Sequence, residues 1–390
     1  MIEESSLGAD LPRKGVVFGL LLKVVVGAVM GLGLADFAAG HYDAARDLRR
    51  SGALMLDAEL AWAPRPDFVF KNGITRVNSL GLRGPEIPSD APPTELRILG
   101  MGASRTFGSG VAENEKIWSN VLEKLLNFEG IESRVFNGGV NGYSNVQSSR
   151  RAIRLTPVLQ PDLILLFTSP GAQMLLDETI AGQWAEVGGE PVPRDIVDAV
   201  PGLLKPVAAR LHRLLLNSSL YARYRARIQA DGNRPPGLRR YVYNDRQAPL
   251  GGEDMLDTTW REIEALVEHC RAEQIELRAV LMPLAHQTTD KAWVRWIRSA
   301  RGKGVPPLDM PRREPTAALE AQLKRLGLEV WLLQDELEQI GNDTDRFTFD
   351  TRHWTPPGHR IVGTSLLQHL LAETELLERM TAHRQQHPRD

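Results

Sequence analysis

The spacing of apolar residues changes near residue 90, and beyond it two patterns alternate along the chain. Short apolar runs, typical of buried strands, occupy residues 96–99, 134–136, 163–167, 277–281 and 330–333. Segments with an apolar residue every three or four positions predict helices over residues 117–126, 146–159, 317–326 and 356–372, and another helix with Trp260, Ile263, Leu266 and Val267 on one face. Strands that alternate with helices in this way indicate an α/β fold.

The order of these elements predicts a doubly wound sheet of about five parallel strands, in a three-layer arrangement of the flavodoxin type. Right-handed crossovers between parallel strands place helices on both faces of such a sheet. Ligands then bind in the crevice at the carboxyl ends of the strands. Residues that carry chemistry are therefore expected in the loops that follow the strands.

A long apolar stretch near the N-terminus predicts a transmembrane helix over residues 15–38. From residue 15 to 35 the only charge is Lys23, and the length is near the ~20 residues that cross a bilayer. Arg13 and Lys14 precede the stretch and Asp36 follows it, so we expect residues 1–14 in the cytoplasm and the rest of the chain outside. A cleaved signal peptide is the alternative, although its apolar region is usually only ~7–15 residues long.

Small residues within the predicted span suggest a partner helix in the membrane. Gly27 and Gly31 form a GxxxG step, which allows two helices to approach closely in lipid. The alternative is that glycine is simply common in transmembrane helices.

The remaining chain divides by composition. Residues 39–90 are an approach segment that proline and glycine interrupt, and residues 91–375 hold the regular α/β pattern. Within that domain, an insertion at about residues 177–256 does not fit the alternation of strands and helices. Residues 376–390 are predicted to be a flexible tail.

Overall charge and cysteine content exclude several classes of function. The 390 residues include 47 basic and 49 acidic side chains, a net charge of -2, which does not suit a nucleic-acid partner. The single cysteine, Cys270, cannot form an internal disulfide and lies on the apolar stripe of a predicted helix. No metal-ligand spacing, P-loop or dinucleotide-binding glycine pattern occurs, so we predict neither a cofactor nor a metal.

Polar loops follow four of the predicted strands. Their sequences are GMGASRTFGSG, NGGVNGYSN, TSPGAQ and, near residue 350, DTRHWTPPGH. A serine, a glycine-rich turn, and an aspartate three residues before a histidine are the parts of a nucleophilic acyl-transfer site. Taken singly, Ser104 would be a turn residue, and Thr355 would be the N-cap of the last helix.

Five segments together resemble the SGNH (GDSL-like) hydrolase superfamily, and in particular its membrane-anchored bacterial branch. They are NSLGLRGPEIP, LRILGMGASRTFGSGV, FNGGVNGYSN, PDLILLF and DTRHWTPPGHRIV, and the resemblance covers roughly residues 78–175 and 257–372. It implies a domain held on the periplasmic side of the bacterial inner membrane by a single-pass anchor.

The resemblance also implies roles for four residues. Ser104 would be the nucleophile and His353 its general base, while Asp350 would hold the imidazole and stabilise its charged form. The backbone N–H groups of Gly139 and Ser104 would donate to the oxyanion. His359, inside the last helix, has no such role and is interpreted as structural.

Two departures from the family pattern are present. Ala103 stands where the family has the aspartate of Gly-Asp-Ser, and residues 169–172 (Ser-Pro-Gly-Ala) replace its Gly-x-Asn-Asp. The second change removes the asparagine amide that completes the oxyanion hole, a loss that typically lowers the rate by ~10²–10³-fold. Side chains that would substitute for it are those of Thr168, Ser169, Asn141 and Gln173.

Two functions from different classes follow. One is an esterase or O-acyltransferase that acts outside the cytoplasmic membrane on an acylated cell-envelope or exported glycan, with the substrate class taken from the resemblance alone. The other is a catalytically degenerate scaffold that serves as a subunit of a membrane complex. The serine, histidine and aspartate favour the enzyme, whereas the altered third block favours the scaffold.

Overall fold

The computed structural model describes most of the chain after residue 52. The described ranges are residues 53–57, 59–70, 72–88, 91–170, 184–188, 190–215, 253–284, 287–294, 311–339 and 353–389. Asp350, Gln173, most of the insertion and the predicted span with Gly27 and Gly31 lie outside them. Within these ranges no helix combines the length and the apolar character needed to cross a membrane.

The chain forms two units. One comprises Ala44–Ala209 and Arg234–Asp390, and the other comprises Met1–Asp43 and Arg210–Asn233. Of the second unit, only residues 210–215, which are helical, are described. The sheet and the candidate site both belong to the first unit.

The strands form one central sheet and two small hairpins. They are β1 (Leu54–Asp57), β2 (Ala61–Pro64), β3 (Leu96–Met101), β4 (Ser133–Asn137), β5 (Leu163–Thr168), β6 (Trp184–Val187), β7 (Glu190–Pro193), β8 (Glu276–Leu281) and β9 (Glu329–Leu332). The central sheet has the order β4-β3-β5-β8-β9, and every neighbouring pair is parallel. β1 pairs with β2, and β6 with β7, in antiparallel hairpins.

Helices connect the strands of the central sheet. The described helices are α1 (Ser104–Phe107), α2 (Trp118–Phe128), α3 (Asn145–Leu159), α4 (Arg194–Val197), α5 (Lys205–Leu215), α6 (Glu253–Ala272), α7 (Glu314–Arg325), α8 (Gln334–Gln339), α9 (Pro356–Ala372) and α10 (Thr374–Gln386). The predicted five parallel strands and the helices between them are confirmed, with boundaries shifted by a few residues, and α6 contains the four residues predicted on one helix face.

Two apolar cores, one on each face of the sheet, confirm the doubly wound arrangement. Along β5, Leu163, Leu165 and Phe167 pack in one core with α2 and α9, whereas Ile164 and Leu166 pack in the other with α3 and α6. Because both faces of the strand are covered, its sequence is continuously apolar rather than alternating.

The strand order places a topological switch point beside β3. The connection from β3 runs to β4 on one side, and the chain then returns to β5 on the other side. In open α/β sheets, ligands bind at the carboxyl ends of the strands at such a point. The residues directly after β3 include Ser104, so the fold brings the predicted nucleophile to this crevice.

The C-terminal residues correct one expectation. The tail predicted over residues 376–390 is helical as far as residue 386, and Leu376 and Met380 are buried against the core. Arg389 donates to the Asp162 carboxylate at 2.8 Å and to the Glu95 carbonyl at 2.6 Å. The prediction was wrong because Leu376, Leu377 and Met380 have helical spacing over only about one turn, and the contacts of Arg389 are with residues far away in the chain.

Candidate active site

Ser104 lies at the start of the short helix α1, immediately after β3. A side chain at Gly102 would place its Cβ 2.2 Å from Thr106 Oγ1, so only glycine allows the chain to turn this tightly. The turn ends at Gly108, whose φ of +86° lies in the left-handed region that favours glycine. The glycines on either side of Ser104 therefore serve the sharp strand-to-helix turn that presents the serine.

The serine hydroxyl is bonded to the histidine that the sequence predicted as its base. Ser104 Oγ lies 2.9 Å from His353 Nε2, although the two residues are 249 positions apart in the chain. His353 stands just before α9, which Thr355 begins as N-cap by accepting a hydrogen bond from the Gly358 N–H at 3.5 Å. Asp350 lies outside the described residues, so its role remains a prediction.

The backbone that follows Ser104 is fixed by two side chains from neighbouring elements. Trp118 Nε1 donates to the Thr106 carbonyl at 2.7 Å, and Asn137 Nδ2 donates to the same carbonyl at 2.8 Å. Trp118 is fully buried, and its ring centroid lies 4.5 Å from that of Phe167. Trp118 thus belongs to the apolar core and also holds the nucleophile turn in place.

Arg83 holds the other side of the same loop. Its Nη1 donates to the carbonyls of Phe107 and Gly108 at 2.9 and 2.7 Å. Its Nη2 donates to Val111 and Ala112, and its Nε donates to Asn114 Oδ1. The side chain is buried, and desolvation lowers its pKa to about 10, partly opposed by the charges of Glu113 and Glu115.

Gly139 lies against the nucleophile turn, but its N–H group has an acceptor within the chain. A Cβ on Gly139 would stand 2.4 Å from the Phe107 backbone nitrogen, so glycine is needed for this close approach. The Gly139 N–H donates to Asn137 Oδ1 at 3.0 Å. To serve an oxyanion, it would have to leave or share that acceptor, and its assignment as an oxyanion donor stays a prediction.

Two of the side chains predicted to replace the missing asparagine accept hydrogen bonds from other side chains, and Gln173 lies outside the described residues. Asn141 Oδ1 accepts from Ser109 Oγ at 2.6 Å, and Thr168 Oγ1 accepts from Asn145 Nδ2 at 2.8 Å. Ser169 is buried at the end of β5. Asn145, at the start of α3, therefore brings a buried side-chain amide to the edge of the sheet that carries Ser104.

His359 is structural, as the sequence indicated. It is fully buried in α9, and its Nδ1 accepts a hydrogen bond from the Trp118 backbone N–H at 3.3 Å. Desolvation lowers its pKa to about 3, and the charges of Arg83 and His353 act in the same direction. The ring is neutral at neutral pH and joins α9 to the start of α2.

We expect His359 to make the domain sensitive to mild acid. Its pKa is about 3 in the folded state, against 6.5 when unfolded, so below pH 6.5 the unfolded chain binds the additional proton. The stability that depends on neutral His359 is then fully present above pH 6.5, and it falls progressively as the pH is lowered towards 3. Between pH 7 and pH 5 this linkage lowers the free energy of unfolding by about 2 kcal/mol.

Urea unfolding at pH 7 and pH 5 measures this effect. In His359→Asn the amide oxygen replaces Nδ1 as an acceptor, and the new side chain does not titrate. The difference in the free energy of unfolding between pH 7 and pH 5 should therefore be smaller by about 2 kcal/mol than in the wild type. His383→Asn is the matched control, because His383 lies half-buried on α10. An unchanged pH dependence in His359→Asn would contradict the prediction.

Arg105 brings a positive charge to the same edge of the sheet. Its Nη1 donates to the Pro283 carbonyl, just beyond β8, at 2.8 Å. Its guanidinium carbon lies 5.8 Å from the ring centroid of Trp354, which follows His353 in the chain. Desolvation lowers the Arg105 pKa to about 10, so the group remains charged at neutral pH.

Sequence reasoning found the serine and the histidine but missed the residues that hold them. Arg83, Arg105, Trp118 and Asn145 give no pattern signal of their own. Three of them nevertheless lie within segments that contributed to the family resemblance: Arg83 in NSLGLRGPEIP, Arg105 in LRILGMGASRTFGSGV and Asn145 in FNGGVNGYSN.

A serine bonded to a histidine at the carboxyl edge of a parallel sheet is the arrangement found in serine hydrolases. No family model matches this sequence. No curated protein matches it either.

Solved structures of lipolytic proteins and esterases match the chain at low identity. One is a member of the lipolytic protein G-D-S-L family from Veillonella parvula, 14% identical, with 70% of this chain and 97% of that chain covered and a TM-score of 0.35. A lipase/acylhydrolase from Enterococcus faecalis is 14% identical, with 70% and 95% covered and a TM-score of 0.37. A catalytic mutant of an acetylxylan esterase from Geobacillus stearothermophilus is 12% identical, with 70% and 93% covered and a TM-score of 0.37.

The matches thus include a member of the G-D-S-L family, whose motifs the sequence resembles. Likeness at this level says nothing about substrate. Function follows from the chain's own residues.

Proposed function

We propose that this chain is a serine esterase or O-acyltransferase of the SGNH type that forms an acyl-enzyme on Ser104. The observation that carries the proposal is the 2.9 Å separation between Ser104 Oγ and His353 Nε2. This lies within the ~2.6–3.2 Å reach that a general base needs for proton transfer.

In the first half of the reaction, Ser104 Oγ attacks the ester carbonyl carbon while its proton passes to His353 Nε2. For Nε2 to accept that proton, Nδ1 must carry the other ring hydrogen, and Asp350 is the group proposed to hold it there. The tetrahedral intermediate then collapses, the bond to the alcohol oxygen breaks, and His353 returns the proton to the departing alcohol.

In the second half, an acceptor hydroxyl attacks the acyl-serine. Water as the acceptor makes the protein an esterase, and a sugar hydroxyl makes it an acyltransferase. His353 takes the proton of the acceptor and returns it to Ser104 Oγ. The developing oxyanion requires N–H donors, for which we propose Ser104 and Gly139.

The location and substrate class proposed for the enzyme follow from the sequence. The apolar stretch over residues 15–38 and the charges around it support a single-pass anchor in a bacterial inner membrane, with the catalytic domain in the periplasm. An acylated cell-envelope or exported glycan is the proposed substrate, by the resemblance described above. Gly27 and Gly31 are proposed as a contact for a membrane partner.

One observation favours the alternative of a catalytically degenerate scaffold. The third loop has Gly171 where the family carries its asparagine, so that amide is absent. Loss of one oxyanion donor lowers the rate by ~10²–10³-fold without abolishing it. A test with a highly reactive probe is therefore needed to distinguish a slow enzyme from a scaffold.

The test is to label the full-length chain, purified in detergent, with a fluorophosphonate and to follow 4-nitrophenyl acetate hydrolysis. We expect covalent labelling and a burst of nitrophenol, both lost in Ser104→Ala. Ser365→Ala is the matched control, because it removes another buried hydroxyl, in the middle of α9, and should retain both signals. If a folded wild-type chain shows no labelling and no turnover, that result would favour the scaffold.

A further inference from the structure

We propose that Arg105 binds a carboxylate carried by the substrate and so makes the enzyme selective for acidic esters. The proposal deepens the function given above and rests on it. It assigns a specificity role to a residue next to the nucleophile and names the chemical class that this residue recognises.

The position of Arg105 is that of a ligand-binding group. Its guanidinium bridges the loop after β8, through the Pro283 carbonyl, and the segment that carries His353, through the ring of Trp354. Both contacts lie at the carboxyl edge of the sheet, where ligands of doubly wound folds bind. An anion held there would be beside the Ser104–His353 pair.

The charge of Arg105 has no counter-ion within the described part of the chain. Its partners there are a neutral carbonyl and an aromatic ring, and no acidic side chain of the described residues pairs with it. Two other partly buried arginines of the domain, Arg278 and Arg312, have such a partner, in Glu373 and Glu338 respectively. A desolvated cation without a counter-ion is unfavourable on its own, and an anionic ligand removes that penalty.

The donor geometry favours a planar oxyanion. The bond to Pro283 uses Nη1, so the edge formed by the Nε and Nη2 hydrogens is not involved in it. This edge is the one that carboxylates bind with two parallel hydrogen bonds. Trp354 is buried, and the guanidinium carbon lies over its ring, 5.8 Å from the ring centroid.

Arg105 is distinct in this respect from Arg83, the fully buried arginine of the site. All three nitrogens of Arg83 donate to acceptors of the nucleophile loop or to Asn114. Arg83 therefore uses its donors to hold the loop, whereas only Nη1 of Arg105 donates to a hydrogen-bond acceptor among the described residues.

Two acetyl esters, one with a carboxylate and one in which that carboxylate is masked as a methyl ester, test the proposal. They are 4-acetoxybenzoate and its neutral methyl ester, hydrolysed by the full-length chain in detergent. We expect the ratio of kcat/KM for the acid to that for the methyl ester to fall at least tenfold in Arg105→Met. Arg105→Lys keeps the charge but not the planar fork, and it should restore only part of the ratio.

Arg325→Met is the matched control. Arg325 is exposed at the end of α7, which leads into the amino end of β9 at the opposite edge of the sheet. Its replacement should leave the ratio as in the wild type. A role for Arg105 limited to holding the loops together would lower both rates and leave the ratio unchanged, which would overturn the proposal.

A binding measurement separates this proposal from the proposed catalysis. In the Ser104→Ala background no acyl-enzyme forms, and the affinities for 4-acetoxybenzoate and its methyl ester can be measured by calorimetry with and without Arg105→Met. We expect the acid to bind at least tenfold more weakly when Arg105 is replaced, with a smaller change for the methyl ester. Equal changes for the two esters, or binding of neither, would overturn the proposal even if the wild type hydrolyses both.

The reverse result is also informative. If Arg105-dependent binding of the acid is found but the wild type turns over neither ester, the selectivity proposal stands as a binding function. The proposed esterase activity would then fail.

Discussion

Replacing His353 by alanine should lower kcat for an aryl acetate by about 10⁴-fold or more, because the Ser104 hydroxyl then has no base. The expectation rests on the single hydrogen bond between Ser104 Oγ and His353 Nε2. Catalytic residues that act as a unit are strongly non-additive. The double variant Ser104→Ala/His353→Ala should therefore be no slower than the slower of the two single variants.

Steady-state hydrolysis and fluorophosphonate labelling rates of the three variants provide the measurement. His383→Ala, on α10, is the matched control and should retain wild-type rates. Losses that multiply in the double variant would mean that the two residues act independently and that the short contact is not catalytic.

Replacing Arg83 by methionine should destabilise the domain by about 3–5 kcal/mol, since buried acceptors lose their charged donor. The carbonyls of Phe107 and Gly108 belong to the nucleophile turn itself. We therefore expect the variant, where it is still folded, to lose catalytic rate as well as stability. Arg83→Lys should not restore either property, because an ammonium group cannot reproduce the planar set of donors.

Denaturant unfolding and kcat measured below the unfolding transition test this result. Arg379→Met is the matched control, because it removes an exposed pair with Glu276, and such a surface pair contributes only ~0–1 kcal/mol. A change in stability for Arg83→Met no larger than that of the control would show that the loop is held by other contacts.

The main elements of the fold follow from the sequence because their signal is local. β5 is continuously apolar since both of its faces are buried, and α9 begins at Pro356 behind a threonine N-cap. The alternation of strands and helices then allows few topologies, because crossovers are right-handed and short. The five-stranded parallel sheet was predictable for these reasons.

Regions without a sustained period were not predictable in the same way. The approach segment contains the hairpin of β1 and β2, and its Arg83 reaches into the nucleophile loop. The last residues form α10 and tie Arg389 to Asp162. In both regions the stabilising contacts are between residues far apart in the chain, and no local spacing records them.

The sequence by itself determined the strands, the helices, the strand-end loops and the presence of Ser104 and His353 in two of those loops. Only the tertiary structure decided that the two side chains lie 2.9 Å apart, that the Gly139 N–H donates to Asn137, and that Arg105 stands at the same edge without an acidic partner among the described residues. Periodicity reports which residues face a core, because burial repeats with the geometry of the helix or strand. Hydrogen bonds between loops depend on how the layers pack, and that packing is a property of the whole sheet rather than of any segment.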